Sequence, residues 1–267
     1  VMDSIARKIL GGEFVVEDPE GGDPWIKQER KKPIPWGDEN LKEMFYQGND
    51  RFERNIQVDI RKLKYQWSWE DLVAAAQYNE RGKKWSDRNR PDYFRTEITD
   101  VYPDTLCWIR DFTYAHNDPM TQVYFWHPKY DDYPVVGVNW NQARAFCHWR
   151  TNYYNSFIRG YLDGNTVTPF RLPTEWEFEY ASRGGRDGNA YPWGGPYVRN
   201  TKGCFLANFK PGRGNYIDDG GIYTVKVNAY FPNDYGLYCM SGNVAEWTQS
   251  AYAEAGNYVV SDLSPEY

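Results

Sequence analysis

The sequence lacks the features that mark a membrane span, a zinc site or a nucleic-acid-binding domain. No segment reaches the run of about eighteen apolar residues that a membrane-spanning helix needs, and no secretory signal is visible. The four cysteines form no C-x-x-C pair, which argues against zinc. The net charge of −6 argues against a nucleic acid partner, because such proteins usually present a basic face.

Aromatic residues are abundant instead. Tyr, Trp and Phe make up 18 % of the 267 residues, with 23 Tyr and 12 Trp, whereas all hydrophobic residues together make up 41 %. Tyrosine and tryptophan bury large areas but need hydrogen-bond partners for their OH and NH groups. We therefore predict a loop-rich fold whose core consists of aromatic rings with polar rims.

Two helices are predicted from their start signals. Asn139 is a suitable N-cap for the first, since an Asn side chain accepts a free amide of the first helical turn. Thr174 and Glu177 have the spacing of a capping box for the second helix, which Gly184 ends.

The remaining stretches give weaker patterns. Residues 68–71 (S-W-E-D) have the spacing of a cap and predict a short helix over 72–78. The stretch 101–138 is rich in β-branched and aromatic residues cut by prolines, which predicts short strands and loops. Residues 2–10 read as the end of a helix. After Gly185 little periodicity remains, so this irregular part needs polar networks or ions to stabilise it.

Several motifs occur in one order along the second half of the chain. They are R-L-P-T-E-W-E-F-E-Y-A-S-R-G-G at 171–185, Y-P-W-G at 191–194, Y-G-L at 235–237 and G-N-V-A-E-W at 242–247. Together they resemble the formylglycine-generating enzyme (sulfatase-modifying factor) family, with similarity over about 101–247. The resemblance implies an α+β, formylglycine-generating-enzyme-like (C-type-lectin-like) fold with low regular secondary structure. We expect a single such domain over 1–267, incomplete at both ends, with 13–102 as a charged and aromatic elaboration.

The same resemblance implies calcium in the irregular half. The first site would use Asn208, the Phe209 carbonyl, Asp219 and the Gly221 carbonyl. The second would use the carbonyls of Ser241, Gly242 and Val244 with the Glu246 carboxylate. Such oxygen sets suit calcium, which takes about six to eight oxygen ligands. The alternative is that Asn208 and Asp219 shape turns while Glu246 accepts backbone amides.

Catalysis in this family depends on cysteines that the sequence does not contain. The resemblance implies that the oxidising members bind copper through a cysteine pair beyond the G-N-V-x-E-W motif. Here the residues after Trp247 contain no cysteine. Cys147 and Cys239 lie beside aromatic residues and are predicted to be packed, structural thiols. We therefore expect no copper and no oxidase activity from these residues, unless the protein continues further.

Other stretches are similar to one branch of the family. They are D-S-I-A-R at 3–7, V-Y-P-D-T-L-C-W-I-R-D-F at 101–112, Y-F-W-H-P at 124–128 and Y-P-V-V-G-V at 133–138. These resemble gliding-motility lipoproteins of Bacteroidota, best the K-type lipoprotein of the type IX secretion system and next its J-type relative. The resemblance implies a non-enzymatic ring component at the periplasmic, inner face of the outer membrane. Its partners would be the N-type ring protein, copies of itself and the membrane, through an N-terminal lipid outside this sequence.

The elaboration at 13–102 mixes aromatic residues with Arg and Lys, as protein–protein contact surfaces do. Aromatic anchors tend to dominate the energies of such contacts. The candidate anchors are Trp36, Tyr46, Trp67 and Trp69. An ordinary surface elaboration is the simpler alternative. Two other functions also stay open, a copper-dependent oxidase that makes formylglycine in sulfatases and a ligand-binding module.

Overall fold

Within the described residues, a small antiparallel sheet joins four α-helices with described bounds and a long irregular half. The computed structural model describes residues 39–51, 56–71, 74, 93–114, 118–159, 166–209, 215 and 217–252. The strands are β1 (Lys64–Glu70) and β2 (Phe94–Asp100). The helices are α1 (Cys107–Asp111), α2 (Pro119–Val123), α3 (Trp140–Phe157) and α4 (Glu175–Arg183).

Short 3-10 helices lie at Glu39–Met44, Gly48–Asp50, Ile60–Lys62 and Pro128–Tyr130. Beyond α4, the described residues contain turns and one isolated bridge between Arg199 and Phe205. This arrangement is compatible with the expected α+β class and its low content of regular structure. None of the helices in the described part of the chain is long and apolar enough to cross a membrane.

The sheet packs one face against α3. Trp67 pairs with Glu97 across the two strands, and the Trp67 side chain is only 4 % exposed. Its indole Nε1 donates to Thr99 Oγ1 at 3.0 Å, which satisfies the one polar atom of the ring. On the opposite face Gln66 and Ile98 face each other and are exposed, so the strands alternate between core and solvent as an amphipathic sheet requires.

The predicted N-cap at Asn139 and the predicted capping box at Thr174 and Glu177 are both confirmed, and Asn139 also forms a capping box with Gln142. The Asn139 side chain accepts the Gln142 amide at 2.8 Å while Gln142 Oε1 accepts the Asn139 amide, also at 2.8 Å. Thr174 and Glu177 exchange the same pair of bonds at the start of α4. Hydrogen bonds from Arg171, and then the Thr174 amide, lower the pKa of Glu177 to about 2. Gly184 ends α4 in the left-handed region with φ 60°, a conformation that glycine adopts without strain.

The cap predicted at Ser68 is wrong. Ser68 lies inside β1, and Asp71 Oδ1 accepts the Ala74 amide at 2.9 Å. Of the helix predicted over 72–78 the structure describes only Ala74, which is helical. The alternation of buried Trp67 and exposed Ser68 shows that the two-residue period of a strand outweighed the local capping signal.

The strands predicted within 101–138 are wrong for its described residues, which form α1, α2 and a 3-10 helix joined by loops, as the loop part of the prediction expected. Pro119 and Pro128 occupy the first turns of two of these, where proline's missing N–H costs nothing. The helix predicted at 2–10 lies outside the described residues.

An aromatic cluster forms one centre of the core, as the composition predicts. Trp108 is 3 % exposed and lies 4.9 Å from Tyr124 and 5.5 Å from Tyr223, measured between ring centroids. Tyr124 OH donates to the Pro134 carbonyl at 2.5 Å and accepts from Thr224 Oγ1 at 3.1 Å. A second, smaller cluster is mainly aliphatic and consists of Leu41, Val58 and Leu63 around the ring of Phe45.

The cap of α3 can be tested by mutation. Asn139→Ala removes the acceptor for the Gln142 amide, so we expect urea titration to show a loss of about 1 kcal/mol in the free energy of unfolding. Asn141, exposed in the first turn of the same helix, is the matched control. Asn141→Ala removes no cap and adds helix propensity, so it should not destabilise the protein. Equal losses in the two variants would contradict the cap.

Candidate metal centre and interaction surface

The four residues of the first predicted calcium site lie together. Asn208 and Asp219 are each 6 % exposed. Asp219 Oδ2 accepts the Phe209 amide at 2.8 Å, and its Oδ1 accepts the Gly221 amide at 3.2 Å. A methyl group added at Gly221 would lie 3.2 Å from Asn208 Oδ1, so the Gly221 backbone borders the Asn208 amide closely.

Asn243, which we did not predict as a site residue, ties this cluster together. Its backbone amide donates to the Asn208 carbonyl at 2.8 Å, and its Oδ1 accepts from Asn208 Nδ2 at 3.2 Å. The same Oδ1 accepts the Val225 amide at 2.9 Å, while Nδ2 donates to the Val225 carbonyl at 3.2 Å. The φ of 71° at Asn243 is a left-handed conformation that Asn tolerates better than most residues. An Asn directly after a glycine was the available signal for such a turn.

The second predicted calcium set lies in the adjacent turn. The Cα of Gly242 faces the Asn208 carbonyl oxygen so closely that any side chain there would overlap it. The Gly242 carbonyl accepts the Val244 amide at 3.1 Å. Glu246 is solvent-accessible, yet surrounding protein raises its pKa through desolvation. Ser241, the remaining member, is half-buried in the same turn.

The first set fits a hard cation better than the second. Asp219 is a buried carboxylate whose two oxygens accept backbone amides, and each oxygen keeps a further lone pair. Beside it lie an amide oxygen and backbone carbonyls, which are ligands that calcium accepts. Within the described residues no three His, Cys, Asp or Glu side chains cluster as metal ligands. The predicted set instead draws on Asn and carbonyl oxygens around one carboxylate.

All four cysteines are unpaired. Cys107 is buried, Cys147 and Cys239 are half-buried, and Cys204 is exposed. Burial raises the pKa of the Cys107, Cys147 and Cys239 thiols. The thiolate is the reactive form of cysteine, so a raised pKa lowers the reactivity of these three thiols. The half-buried positions of Cys147 and Cys239 agree with the prediction that both are packed.

The candidate anchors for a protein contact have different surroundings. Trp67 is buried within the chain, so its ring is not available to a partner and its assignment as an anchor is corrected. Tyr46 is half-buried, with the Arg61 guanidinium 5.4 Å from the centre of its ring. Trp69 is also half-buried, and its Nε1 donates to Glu97 Oε1 at 2.8 Å. Trp36 lies outside the described residues.

Trp67 and Trp69 instead hold β1 onto α3 through a single arginine. The Arg144 guanidinium carbon lies 5.3 Å from the ring centre of Trp67, 4.9 Å from that of Trp69 and 4.6 Å from that of Trp140. Each distance is within the range of a cation–π contact, about 6 Å. Composition suggested a contact surface, but Trp67 and Trp69 contact a half-buried arginine of α3, and Trp69 stays partly exposed beside it.

A large aromatic surface lies elsewhere, on α4 and the loop beside it. No residue of α4 is buried. Trp176 is 54 % exposed, Tyr180 is 68 % exposed and Tyr235, from the loop, is 46 % exposed. Tyr235 OH donates to Tyr180 OH at 3.0 Å, so the two rings form one continuous patch. We call Trp176, Tyr180 and Tyr235 the α4 aromatic surface.

Comparison with known proteins matches one protein family to most of this chain. A family model described as "Sulfatase-modifying factor enzyme 1-like domain" matches residues 65–264. The chain belongs to this family.

Some of the similar proteins are named as enzymes, and one of them is named as inactive. The chain is 42 % identical over 125 residues to "Inactive C-alpha-formylglycine-generating enzyme 2" of Bos taurus, covering 46 % of this chain and 35 % of that protein. It is 38 % identical over 120 residues to "Formylglycine-generating enzyme" of Mus musculus, covering 44 % of this chain and 27 % of that protein. It is 33 % identical over 167 residues to "Serine/threonine-protein kinase pkn1" of Chlamydia pneumoniae, covering 62 % of this chain and 21 % of that protein. The chain therefore spans about a third or less of the length of these relatives.

The contact between Gly242 and Asn208 predicts a large steric effect. Gly242 has φ 100°, and Gly242→Ala would press a methyl group into the Asn208 carbonyl oxygen. We expect chemical denaturation to show a loss of about 3 kcal/mol or more, combining left-handed strain with overpacking. Gly203→Ala is the matched control, because φ is 83° there and nothing lies within 4 Å of the added methyl group. The control should lose only about 1–2 kcal/mol; similar losses at both positions would refute the packing argument.

Proposed function

We propose that this chain is a non-catalytic, structural member of its family. Specifically, it would form part of a periplasmic ring of the type IX secretion and gliding-motility machinery, attached to the outer membrane. The observation that carries the proposal is the α4 aromatic surface. Its exposed Trp and Tyr rings belong to the residue types that dominate protein–protein contacts.

The cysteines support a role other than oxidation. A redox-active cysteine needs a lowered pKa, whereas burial moves three of the four thiols in the opposite direction. The fourth, Cys204, is exposed and unpaired. A relative named inactive is also among the similar proteins. The rival proposal, a copper-dependent oxidase that makes formylglycine, is favoured by similarity to enzymes of that name.

The identity of the assembly rests on the resemblance of residues 3–7, 101–112, 124–128 and 133–138 to K-type lipoproteins. On that basis the partners would be the N-type ring protein and further copies of this chain. The protein would lie at the inner face of the outer membrane, held by an N-terminal lipid outside this sequence. Tyr46 and Trp69 remain candidate contact residues in this assembly, in addition to the α4 aromatic surface.

A ring can be sought directly in membranes of the source organism. After gentle detergent extraction of the full protein, we expect electron microscopy to show large rings and mass spectrometry to identify a second protein at a fixed ratio. The double variant Trp176→Ala/Tyr180→Ala should release smaller particles, because an interface aromatic commonly contributes about 2 kcal/mol. Tyr114→Ala is the control, since Tyr114 is a fully exposed aromatic outside the surface. A monomer without partners would overturn the proposal and call for copper analysis and an assay on a sulfatase-type cysteine peptide.

We also propose that calcium stabilises the irregular half. Asn208, Asp219 and the carbonyls of Phe209 and Gly221 would hold the ion, which would neutralise the buried Asp219 carboxylate and join two loops. The carbonyls of Ser241, Gly242 and Val244 with Glu246 would form a second, more exposed site.

Calcium binding predicts a stability change that depends on Asp219. A hundredfold excess of calcium over its Kd should raise the free energy of unfolding by about 2.7 kcal/mol, and EDTA should reverse the gain. Asp219→Asn removes the central charge and should abolish the response to calcium.

Asp218→Asn is the matched control for this experiment. Asp218 is the neighbouring residue, but its side chain is 45 % exposed and pairs with Arg199 at 2.6 Å. The control variant should keep the full calcium response. An unchanged response in Asp219→Asn, or no response in the unmodified protein, would refute the first site.

A further inference from the structure

One histidine lies at the junction between α3 and the sheet. His148 is half-buried on α3, which contacts both β1 and β2. The centre of its ring lies 5.8 Å from that of Trp67 and 6.1 Å from that of Tyr65, both on β1. A titratable side chain therefore lies inside the contact that holds the sheet on the helix, and neither of the functions proposed above uses it.

Two hydrogen-bond donors converge on the Nδ1 atom of this imidazole. His148 Nδ1 lies 2.9 Å from Tyr65 OH and 3.4 Å from Asn152 Nδ2. Burial raises the pKa of Tyr65, so the hydroxyl keeps its proton at neutral pH. An amide nitrogen donates and does not accept. Because both neighbours offer a proton, Nδ1 serves as the acceptor, which assigns a neutral imidazole with its own proton on Nε2.

A cation already lies one helical turn from His148. Arg144 comes one turn earlier on α3, so the two side chains share a face of the helix. The Arg144 guanidinium carbon lies 5.3 Å from the ring centre of Trp67, beside which His148 also lies. Charges of the same sign at this spacing repel each other. Protonation of His148 would therefore add an unfavourable charge beside Arg144.

The charged side chains on the facing side of the sheet have other partners. Directly paired residues share a face, so Glu97 lies on the face of Trp67 and Arg95 on that of Trp69. Glu97 Oε1 accepts from Trp69 Nε1 at 2.8 Å, and Arg95 Nε donates to Asp71 Oδ2 at 3.2 Å. The carboxylate and the guanidinium that the sheet directs toward α3 are therefore engaged by other groups.

The stability contribution of His148 follows from the direction of its pKa. Burial in the folded protein lowers the pKa of His148, whereas a free imidazole has a pKa of about 6.5. The opened form therefore binds the proton more tightly than the folded form. The contribution of His148 to stability is complete above about pH 6.5 and is lost progressively as the pH falls from there toward the lowered pKa.

We propose that the contact between the sheet and α3 is a proton-sensitive switch whose titrating group is His148. At neutral pH the imidazole accepts the Tyr65 hydroxyl and joins β1 to the helix. Protonation turns Nδ1 into a donor that faces the Asn152 amide donor and adds a second cation beside Arg144, which loosens the sheet. Trp69 belongs to β1, so acidification changes how this candidate contact residue is presented. The switch does not depend on the proposed ring.

Hydrogen exchange measured by mass spectrometry on the full protein tests the switch locally. After correction for the intrinsic pH dependence of exchange, the protection of β1 and β2 amides should fall severalfold between about pH 7.5 and about pH 5. The limit is about thirtyfold for one imidazole with a free pKa near 6.5. The reference is α4, which should keep its protection because Glu177 of its capping box, with a pKa of about 2, stays ionised.

Three variants separate the His148 contact from general charge effects. His148→Gln removes the titrating group and should make the protection of β1 independent of pH in this range. Asn152→Asp replaces a donor 3.4 Å from Nδ1 by a carboxylate, which should hold the imidazolium and also abolish the loss. Asn141→Asp is the matched control, because it adds the same charge at an exposed position two turns away, about 10 Å along the helix. It should keep the full loss.

Several results would overturn the proposal. Unchanged protection of β1 and β2 at low pH in the unmodified protein would exclude a switch. An equal loss in α4, or the same loss in His148→Gln, would show general acid destabilisation instead. Equal effects of Asn152→Asp and Asn141→Asp would show that net charge matters and the contact at Nδ1 does not.

Discussion

The irregular half of this domain depends on asparagine side chains that replace the hydrogen bonds of a sheet. Asn243 bonds to both the amide and the carbonyl of Val225, as a neighbouring strand would, and its own amide reaches the Asn208 carbonyl. Asn233 acts in the same way at the end of α4. Its Nδ2 donates to the Ala181 carbonyl at 2.7 Å, and its Oδ1 accepts the amides of Tyr235 and Leu237. Buried backbone groups must find partners, and these side chains supply them where no ladder exists.

This arrangement explains how the domain keeps its shape with little regular structure. The loops that contain Asn208 and Asn243 are far apart in sequence but bonded to each other directly. Asn233 then links the loop bearing Tyr235 to the last turn of α4. Through these bonds, the buried Asn233 side chain fixes the relative positions of the two segments that form the α4 aromatic surface.

Arginine and tryptophan organise the other half. Arg144 stands among Trp67, Trp69 and Trp140 and joins the sheet to α3, so residues that resemble contact anchors in composition serve the fold. Two further indole bonds, from Trp140 and Trp247, attach the G-N-V-A-E-W segment to the start of the same helix. The G-N-V-A-E-W motif therefore has a structural role here, because its tryptophan and the residue after it hold this segment against the start of α3.

Local features of this protein were determined by the sequence alone. Capping boxes at Asn139 and Thr174 involve residues three apart, so their geometry follows from spacing without knowledge of the fold. The family motifs likewise place Asn208 and Asp219 together, since a shared fold implies shared neighbours. Tertiary structure alone decided which aromatic rings face inward. Trp67 is buried and Trp176 is exposed, although both occur in amphipathic elements, because burial depends on what the rest of the chain brings against each face. The role of Asn243 and the position of Trp247 were also decided there, because their partners Val225 and Val138 lie 18 and 109 residues away and meet them only in the folded domain.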